Sequence, residues 1–406
     1  MYNNKYKYKY NRKKNRYLSF QNESSDVKQN YLIIFVKIFF IYLVIHLSFK
    51  IRNTTHKEII NDNIHEKYVE NFINFTSKFS NDALISSMLK NISIIDVKYS
   101  NSTNINNKTK IHICVNFNNE HIYIALVALE SEMSNMNKAN SLYVYHILFP
   151  GDLSDENIYK LKNFSNKYKD NIELVFYNMS NIFIQFKNQK LSQVANYRLL
   201  LPIIIPYERI IYLDNDILVF KDLLEMYQVS FDNNYVLGSL DMLPDALDYL
   251  GVKSDRYINS GIILLNLDKI RNDNKHIELI KMALNYPKLR NFDQSIINFV
   301  FYPNISLLPF KFGMFNFQSE LDIEKRYIKI IRQKLDTNEL IKAFNDPAII
   351  HLLVCHPKVW KKNPKFSKRV TVCAEKKNCD CSRYQKLWYE YAKNTSYYNE
   401  IKNLYK

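Results

Sequence analysis

The chain has 406 residues, enough for one large domain or two smaller ones with a substantial core. Its net charge is +16: residues 1–30 carry eight basic and two acidic residues, and the remaining +10 reads as spread over the other 376. Diffuse basicity suits an anionic ligand or a membrane surface, whereas a nucleic-acid reader concentrates charge in a stripe beside a known motif, and none is found. Gly is scarce at 5 residues while Asn, Lys, Ile and Tyr abound, so Asn-rich stretches carry little information.

In chain order, residues 1–30 form a polar, Lys/Tyr/Asn-rich tail expected to be disordered. Tyr31 to Phe49 is a nineteen-residue, mostly apolar run, close to the length a helix needs to cross a bilayer. Lys37 can snorkel toward the basic end, and His46 can stay neutral near the other. The long basic leader and the missing small-residue cleavage site argue for a retained anchor over a cleaved signal, with the N-terminus in the cytosol. The alternative is an interior core helix. Residues 50–109 are polar and read as a stem, with a short helix near Glu58 to Phe79. Nine Asn-x-Ser/Thr sites follow the apolar run, at Asn53, Asn74, Asn91, Asn101, Asn107, Asn163, Asn178, Asn304 and Asn394; they support a lumenal address weakly.

From residue 110 to 406 the texture alternates strand and helix. Ile111 to Phe117, Leu142 to Phe149 and Ile172 to Tyr177 predict strands. Glu120 to Ser134, Ser154 to Lys167 (with Ser154 as N-cap) and Leu191 to Ile205 predict helices. This βαβα order argues for a parallel, doubly wound sheet, in which ligands bind at the carboxyl ends of strands. The second half is mixed. Strands are predicted at Tyr235 to Leu240, Tyr257 to Leu267 and Ala348 to Val354. Helices are predicted at His276 to Leu284, Phe292 to Phe301, Ile323 to Phe344 and Arg383 to Tyr405.

Between the halves lies Arg209 to Phe220, an apolar run cut by Asp214-Asn215-Asp216. Two carboxylates inside a buried strand need partners. A strand ending at Leu213 would present both acids to one cation, because residues i and i+2 project to the same side. Such hard oxygen ligands suit Mn²⁺ or Mg²⁺. The alternative is a solvated hairpin turn.

Five stretches in one order carry a resemblance: Asn196-Tyr197-Arg198-Leu199-Leu200-Leu201-Pro202, the Tyr212-Leu213-Asp214-Asn215-Asp216 strand end, Asn259-Ser260-Gly261, Phe292-Asp293-Gln294 and Ile349-Ile350-His351. Over about Ile111 to Ile401 the chain resembles the retaining glycosyltransferases of family 8, the glycogenin-like and bacterial galactosyltransferase-like group. The resemblance implies a GT-A, Rossmann-like mixed α/β sheet flanked by helices and a UDP-sugar donor. It implies a metal held by Asp214, Asp216 and His351, and an imidazole ligand tilts the choice toward Mn²⁺ over Mg²⁺. Asp293 and Gln294 would lie near the anomeric carbon, with Asp241 near the transferred sugar. Arg198, Asn215, Asn259 and Lys358 would contact the donor or fix the acidic cluster, and Asn116 and Asn118 would touch the nucleobase or ribose. Each has a plainer reading: Arg198 as a surface arginine, His351 as a core histidine, Asn259 closing an Asx turn, Asp293 capping its helix.

One segment departs from the family, which reads His-Phe-x-Gly-x-x-Lys-Pro-Trp after the metal histidine. Here it is His351-Leu352-Leu353-Val354-Cys355-His356-Pro357-Lys358-Val359-Trp360. The glycine is gone, so the backbone approach it permits is in question, and His356 is an outside candidate for the metal. Of the five cysteines, Cys355, Cys373, Cys379 and Cys381 cluster near the C-terminus. In an oxidising lumen they would form disulfides, with three connectivities open if these four pair. A zinc site is the alternative, although C-x5-C-x-C is not a ribbon spacing. The expectation is a type II membrane protein of the ER or Golgi whose lumenal domain glycosylates a glycan, protein or lipid. The rival is a lectin-like or scaffold protein that kept the fold and lost turnover.

Overall fold

A nine-residue run, Ser-Leu-Tyr-Val-Tyr-His-Ile-Leu-Phe, is buried along its whole length. That is the signature of a strand covered on both faces, as in a parallel sheet between helices. In the computed structural model it is the third strand of an eight-stranded sheet. The structure describes residues 65–100, 107–183, 193–241, 257–286, 289, 291–323, 337–362, 364–366 and 381–405. The basic tail, the apolar run 31–49, residues 50–64 and 101–106 of the stem, and Cys373 and Cys379 lie outside the described residues. Among the described residues no helix is long and apolar enough to cross a membrane.

The strands are β1 (Ser93–Lys98), β2 (Thr109–Asn116), β3 (Ser141–Phe149), β4 (Ile172–Asn178), β5 (Arg209–Leu213), β6 (Ile217–Val219), β7 (Val236–Leu240), β8 (Ile258–Asn266) and β9 (Ile305–Leu307). The large sheet runs β1-β4-β3-β2-β5-β8-β7-β9. β2 pairs in parallel with β3 and β5, and β3 with β4. β8 runs antiparallel to β5 and β7, and β1 antiparallel to β4. The sheet is therefore mixed, with a parallel centre. β6 leaves it to join a small second sheet with β10 (Met314–Phe315) and β11 (Ile349–His351). Asp214-Asn215-Asp216 is thus the crossing between two sheets, not a hairpin turn.

Alternate residues of β2 sort to opposite cores. Ile111, Ile113 and Val115 join the layer of helices Ile122–Ser134 and Asp155–Asn166, while Cys114 faces the layer of Lys275–Asn285 and Phe292–Phe301. As predicted, Ser154 caps its helix, its Oγ accepting from the Asn157 N–H. β2 has β3 on one side and β5 on the other, so the sheet's winding reverses between them. Their carboxyl ends, Asn116 and Leu213, frame the crevice where such sheets bind ligands.

Three boundaries differ from expectation. The sheet begins at β1, inside the stretch read as stem, because Ile94 and Val97 bury against the sheet despite polar neighbours. The helix expected at 191–205 is a 3₁₀ turn series, Gln193–Leu200, followed by one short turn, Leu201–Ile204, with Pro202 in its first turn. The single terminal helix is two, Ser382–Asn394 and Tyr398–Tyr405. Thr395 breaks it by adopting an extended backbone and returning its hydroxyl to the Ala392 carbonyl. Of the helix expected over 323–344, the described residues show Glu320–Ile323 and Thr337–Asn345.

Candidate active site

The crossing from β5 to β6 fixes the two acids. The Asp214 N–H donates to the Gly261 carbonyl at 2.8 Å, and the Asp216 carbonyl accepts from the Leu352 N–H at 2.8 Å. β11 pairs antiparallel with β6, setting His351 opposite Ile217. His351 Nε2 lies 3.0 Å from Asp216 Oδ1 and 3.8 Å from Asp214 Oδ2. Ligand atoms from the three residues lie within 4.8 Å of one another. Gly261 makes the approach possible: a Cβ there would stand 2.4 Å from Asp214 Oδ2 and 2.5 Å from His351 Cε1. Two carboxylates and an imidazole around one point are a donor set that fits Mn²⁺ or Mg²⁺. His356 is exposed on the short strand Cys355–His356 and is outside this group.

Arg198 knits the cluster from behind. Its guanidinium donates to Asp214 Oδ1 at 2.9 Å and to the Ser260 carbonyl at 2.6 Å, and its Nε lies 3.2 Å from Asp293 Oδ2. It also stacks over the Tyr212 ring, 3.9 Å from the centroid. Burial works against its charge, but Asp214 and Asp293 hold it firmly protonated. It is therefore no surface arginine. Burial alone would raise the Asp216 carboxyl, yet Lys358, and then His351, hold it well below the usual carboxylate range. The Lys358 ammonium sits directly on Asp216 Oδ2 and 3.2 Å from the Leu352 carbonyl.

A second polar knot faces the first. Gln294 Oε1 accepts from Asn259 Nδ2 and from the Ser260 N–H, both at 3.2 Å, while its Nε2 donates to Asp241 Oδ2 at 3.2 Å. Asn259 Nδ2 also reaches Asp241 Oδ2 at 2.9 Å. Its Oδ1 accepts from the Gly261 N–H at 2.9 Å, so the amide both closes the Asx turn and binds across the site. Asp293 does not cap its helix; Asn291 stands at that position in a left-handed conformation. The Asp293 carboxylate instead accepts from Ser260 Oγ at 2.8 Å. Burial pushes it upward against the pull of Arg198 and the Ser260 hydroxyl.

All twelve residues singled out from sequence (Asn116, Asn118, Arg198, Asp214, Asn215, Asp216, Asp241, Asn259, Asp293, Gln294, His351 and Lys358) line one open cleft of about 580 Å³. That size suits a drug-sized or cofactor-sized ligand. Sequence reasoning passed over Tyr212 and Ser260. The Tyr212 hydroxyl donates to Asp214 Oδ1 at 2.9 Å and also touches Asn116 Oδ1. Its place two residues before Asp214, on the same side of the strand, was the available signal.

A family model described as glycosyl transferase family 8 matches residues 112–364. The chain is 26% identical over 181 residues to "Glycosyltransferase GlyB" of Streptococcus pneumoniae serotype 4, a stretch covering 45% of this chain and 41% of that relative. It thus spans less than half of that relative's length. Two solved structures share the fold. "WbbM bifunctional glycosytransferase" aligns with TM-score 0.58 at 18% identity, covering 76% of this chain and 54% of that one. The galactosyltransferase LgtC in complex with donor and acceptor sugar analogs aligns with TM-score 0.53 at 18% identity, covering 70% and 96%. With the family model spanning well over half of the sequence and the GT-A-like sheet beneath it, the chain belongs to glycosyl transferase family 8.

Proposed function

We propose that the chain moves a hexose or pentose from a UDP-sugar to a glycan, protein or lipid acceptor, with retention at the anomeric carbon and with Mn²⁺ held by Asp214, Asp216 and His351. The observation that carries this is the convergence of those three side chains within 4.8 Å at the wall of a cleft whose other wall holds Asp241, Asn259, Asp293 and Gln294. A divalent ion there would neutralise the departing diphosphate as a Lewis acid. Asn116, Asn118 and Asn215 serve the nucleoside side of the cleft, and Lys358 reaches phosphate on its long stem. The anomeric carbon–oxygen bond to the diphosphate breaks as the acceptor oxygen bonds to that carbon. The Gln294 amide is a weak nucleophile, which favours attack from the leaving-group face, with the acceptor's hydroxyl proton passing to the departing phosphate oxygen. Asn259, the Ser260 N–H and Asp241 hold the Gln294 dipole toward that centre.

A single-pass, type II arrangement with a lumenal catalytic domain accompanies this reading. The apolar run at 31–49 and the Cys355–Cys381 disulfide support it, since disulfides persist in oxidising compartments.

Calorimetry tests the proposal. UDP is titrated into the full-length chain with Mn²⁺ and then with a chelator. Binding is expected only with metal, and Asp214→Asn should abolish it. His351→Ala should weaken Mn²⁺ binding about tenfold or more, and His356→Ala should leave it unchanged. Absence of UDP binding by a folded sample in both conditions would leave the scaffold reading as the better one.

A further inference from the structure

The charge that reads as diffuse along the sequence is concentrated. Residues 361–406 hold twelve Lys and Arg against four Asp and Glu, a net +8, while residues 31–360 hold 36 against 34. Within the described residues this basic end folds around a groove of about 770 Å³, walled by residues 361–362 and the helices Ser382–Asn394 and Tyr398–Tyr405. Five cations line it, Lys361, Lys362, Arg383, Lys386 and Lys393, and among the described residues no acidic one does. Lys386 and Lys393 lie two turns apart on one face of their helix, with Tyr389 between them.

Among the described residues none of the five cations has an ion-pair partner. Lys361 instead lies 5.0 Å over the Tyr405 ring, and Arg383 lies 5.6 Å over Tyr384. Like charges gathered without counter-ions repel one another, so such a cluster is stabilised by an anion that enters it. The first turn of Ser382–Asn394 also opens into the groove through Ser382 and Arg383, adding the positive end of a helix dipole.

The groove adjoins the catalytic cleft. Lys358 and Trp360 line the cleft and Lys361 and Lys362 line the groove, so one five-residue segment, 358–362, borders both. The Tyr389 hydroxyl donates to the Trp360 carbonyl at 3.1 Å, and Gln385 Nε2 to the Lys361 carbonyl at 2.8 Å, tying this divider to the helix. Cations interleaved with tyrosine rings suit a sugar chain bearing negative groups: the rings meet apolar sugar faces and the ammonium groups meet the charges. A bilayer is fitted less well. It presents a flat surface to a concave wall, and among the large apolar residues exposed in the described chain only Leu404 lies on these two helices.

We infer that this groove binds the anionic part of an acceptor glycan, one carrying phosphate, sulfate or carboxylate groups, while the acceptor's reacting end lies in the adjacent cleft. The acceptor role rests on the glycosyltransferase reading above; the anion site does not. The test uses the full-length chain in non-ionic micelles and a labelled sulfated octasaccharide, with its desulfated counterpart as control. Wild type should bind the sulfated probe in a salt-sensitive way and ignore the control. Lys386→Glu with Lys393→Glu should weaken binding at least about tenfold, and the paired alanine variant should fall between. UDP binding with Mn²⁺ should be unchanged in both variants, which also shows that they are folded. Equal probe binding by wild type and the charge-reversed variant would overturn the inference. So would a loss seen with phosphatidylserine vesicles, relative to phosphatidylcholine vesicles, but not with the saccharide, which would make the groove a membrane surface. Saccharide binding that depends on Lys386 and Lys393, in a protein that never binds UDP, would uphold the anion site and remove the acceptor role.

Discussion

Gly261 shows how little room the cleft leaves around Asp214 and His351. Its missing side chain lets Asp214 and His351 approach, and both neighbours are pinned: Asp214 by Arg198 and Tyr212, His351 by its strand pairing with β6. Gly261→Ala should therefore push the Asp214 and His351 side chains apart. We expect loss of Mn²⁺-dependent UDP binding, with a stability cost of about 1–3 kcal/mol from overpacking. Calorimetry and thermal melting check the two effects separately, and unchanged UDP affinity would show that the ligands can move. The two acids were legible from their spacing at a strand end, whereas His351 and Gln294 entered only through the resemblance to a family. The role of Gly261 was not legible, because it depends on which strands become neighbours. β8 runs antiparallel to β5, and that pairing puts Gly261 beside Asp214; no local pattern around residue 261 states it.

At the scale of elements, strands were legible wherever burial on both faces left an unbroken apolar run, as in β3, or where Tyr and Leu led into Asp, as in β5. β1 was missed because its alternation is broken: a bulge lies between Ile94 and Asp96, Ser93 and Ile95 are exposed and Asp96 half-buried, and only Ile94 and Val97 are buried. The helix Ile122–Ser134 conceals a conflict of a different kind. Glu132 is buried in it, with one oxygen accepting from the Tyr145 hydroxyl at 2.8 Å and the other without a partner. Burial pushes its carboxyl up to about 8, against the Tyr145 hydrogen bond, from an ordinary value of 4.5. A raised native value means the folded chain binds the extra proton. The stability it brings is complete below about pH 4.5 and falls as pH rises toward 8, flattening above. Glu132→Gln should remove that slope and stabilise the protein at pH 8 by about 4 kcal/mol. Denaturant titrations of both proteins at pH 5 and pH 8 decide it; parallel pH profiles would mean that Glu132 is not what titrates.

On the scale of the whole molecule, a disulfide ties the segment after His351 to the basic C-terminal region. Cys355, four residues after His351, is bonded to Cys381, which opens the helix Ser382–Asn394. Sequence spacing left the pairing open, because connectivity depends on where β11 and the last helices pack. In the structure both sulfurs lie in the core shared by Trp360, Tyr384 and Trp388, with Asn316 Nδ2 donating to Cys355 Sγ at 2.9 Å. The bond closes a loop of 26 residues, which in the chain-entropy account stabilises the fold by about 3 kcal/mol. The tie also fixes the segment carrying Lys358, the residue that neutralises Asp216, and Trp360, which stands between cleft and groove. Cys355→Ser with Cys381→Ser should therefore lower the melting temperature and weaken UDP binding severalfold at temperatures where the variant is still folded. The UDP readout separates two roles for the bond. A lower melting temperature with unchanged UDP affinity would confine it to holding the C-terminal helices. A matching loss of affinity would place the loop after His351, where the chain departs from its family's usual residues, among the parts that shape the donor site.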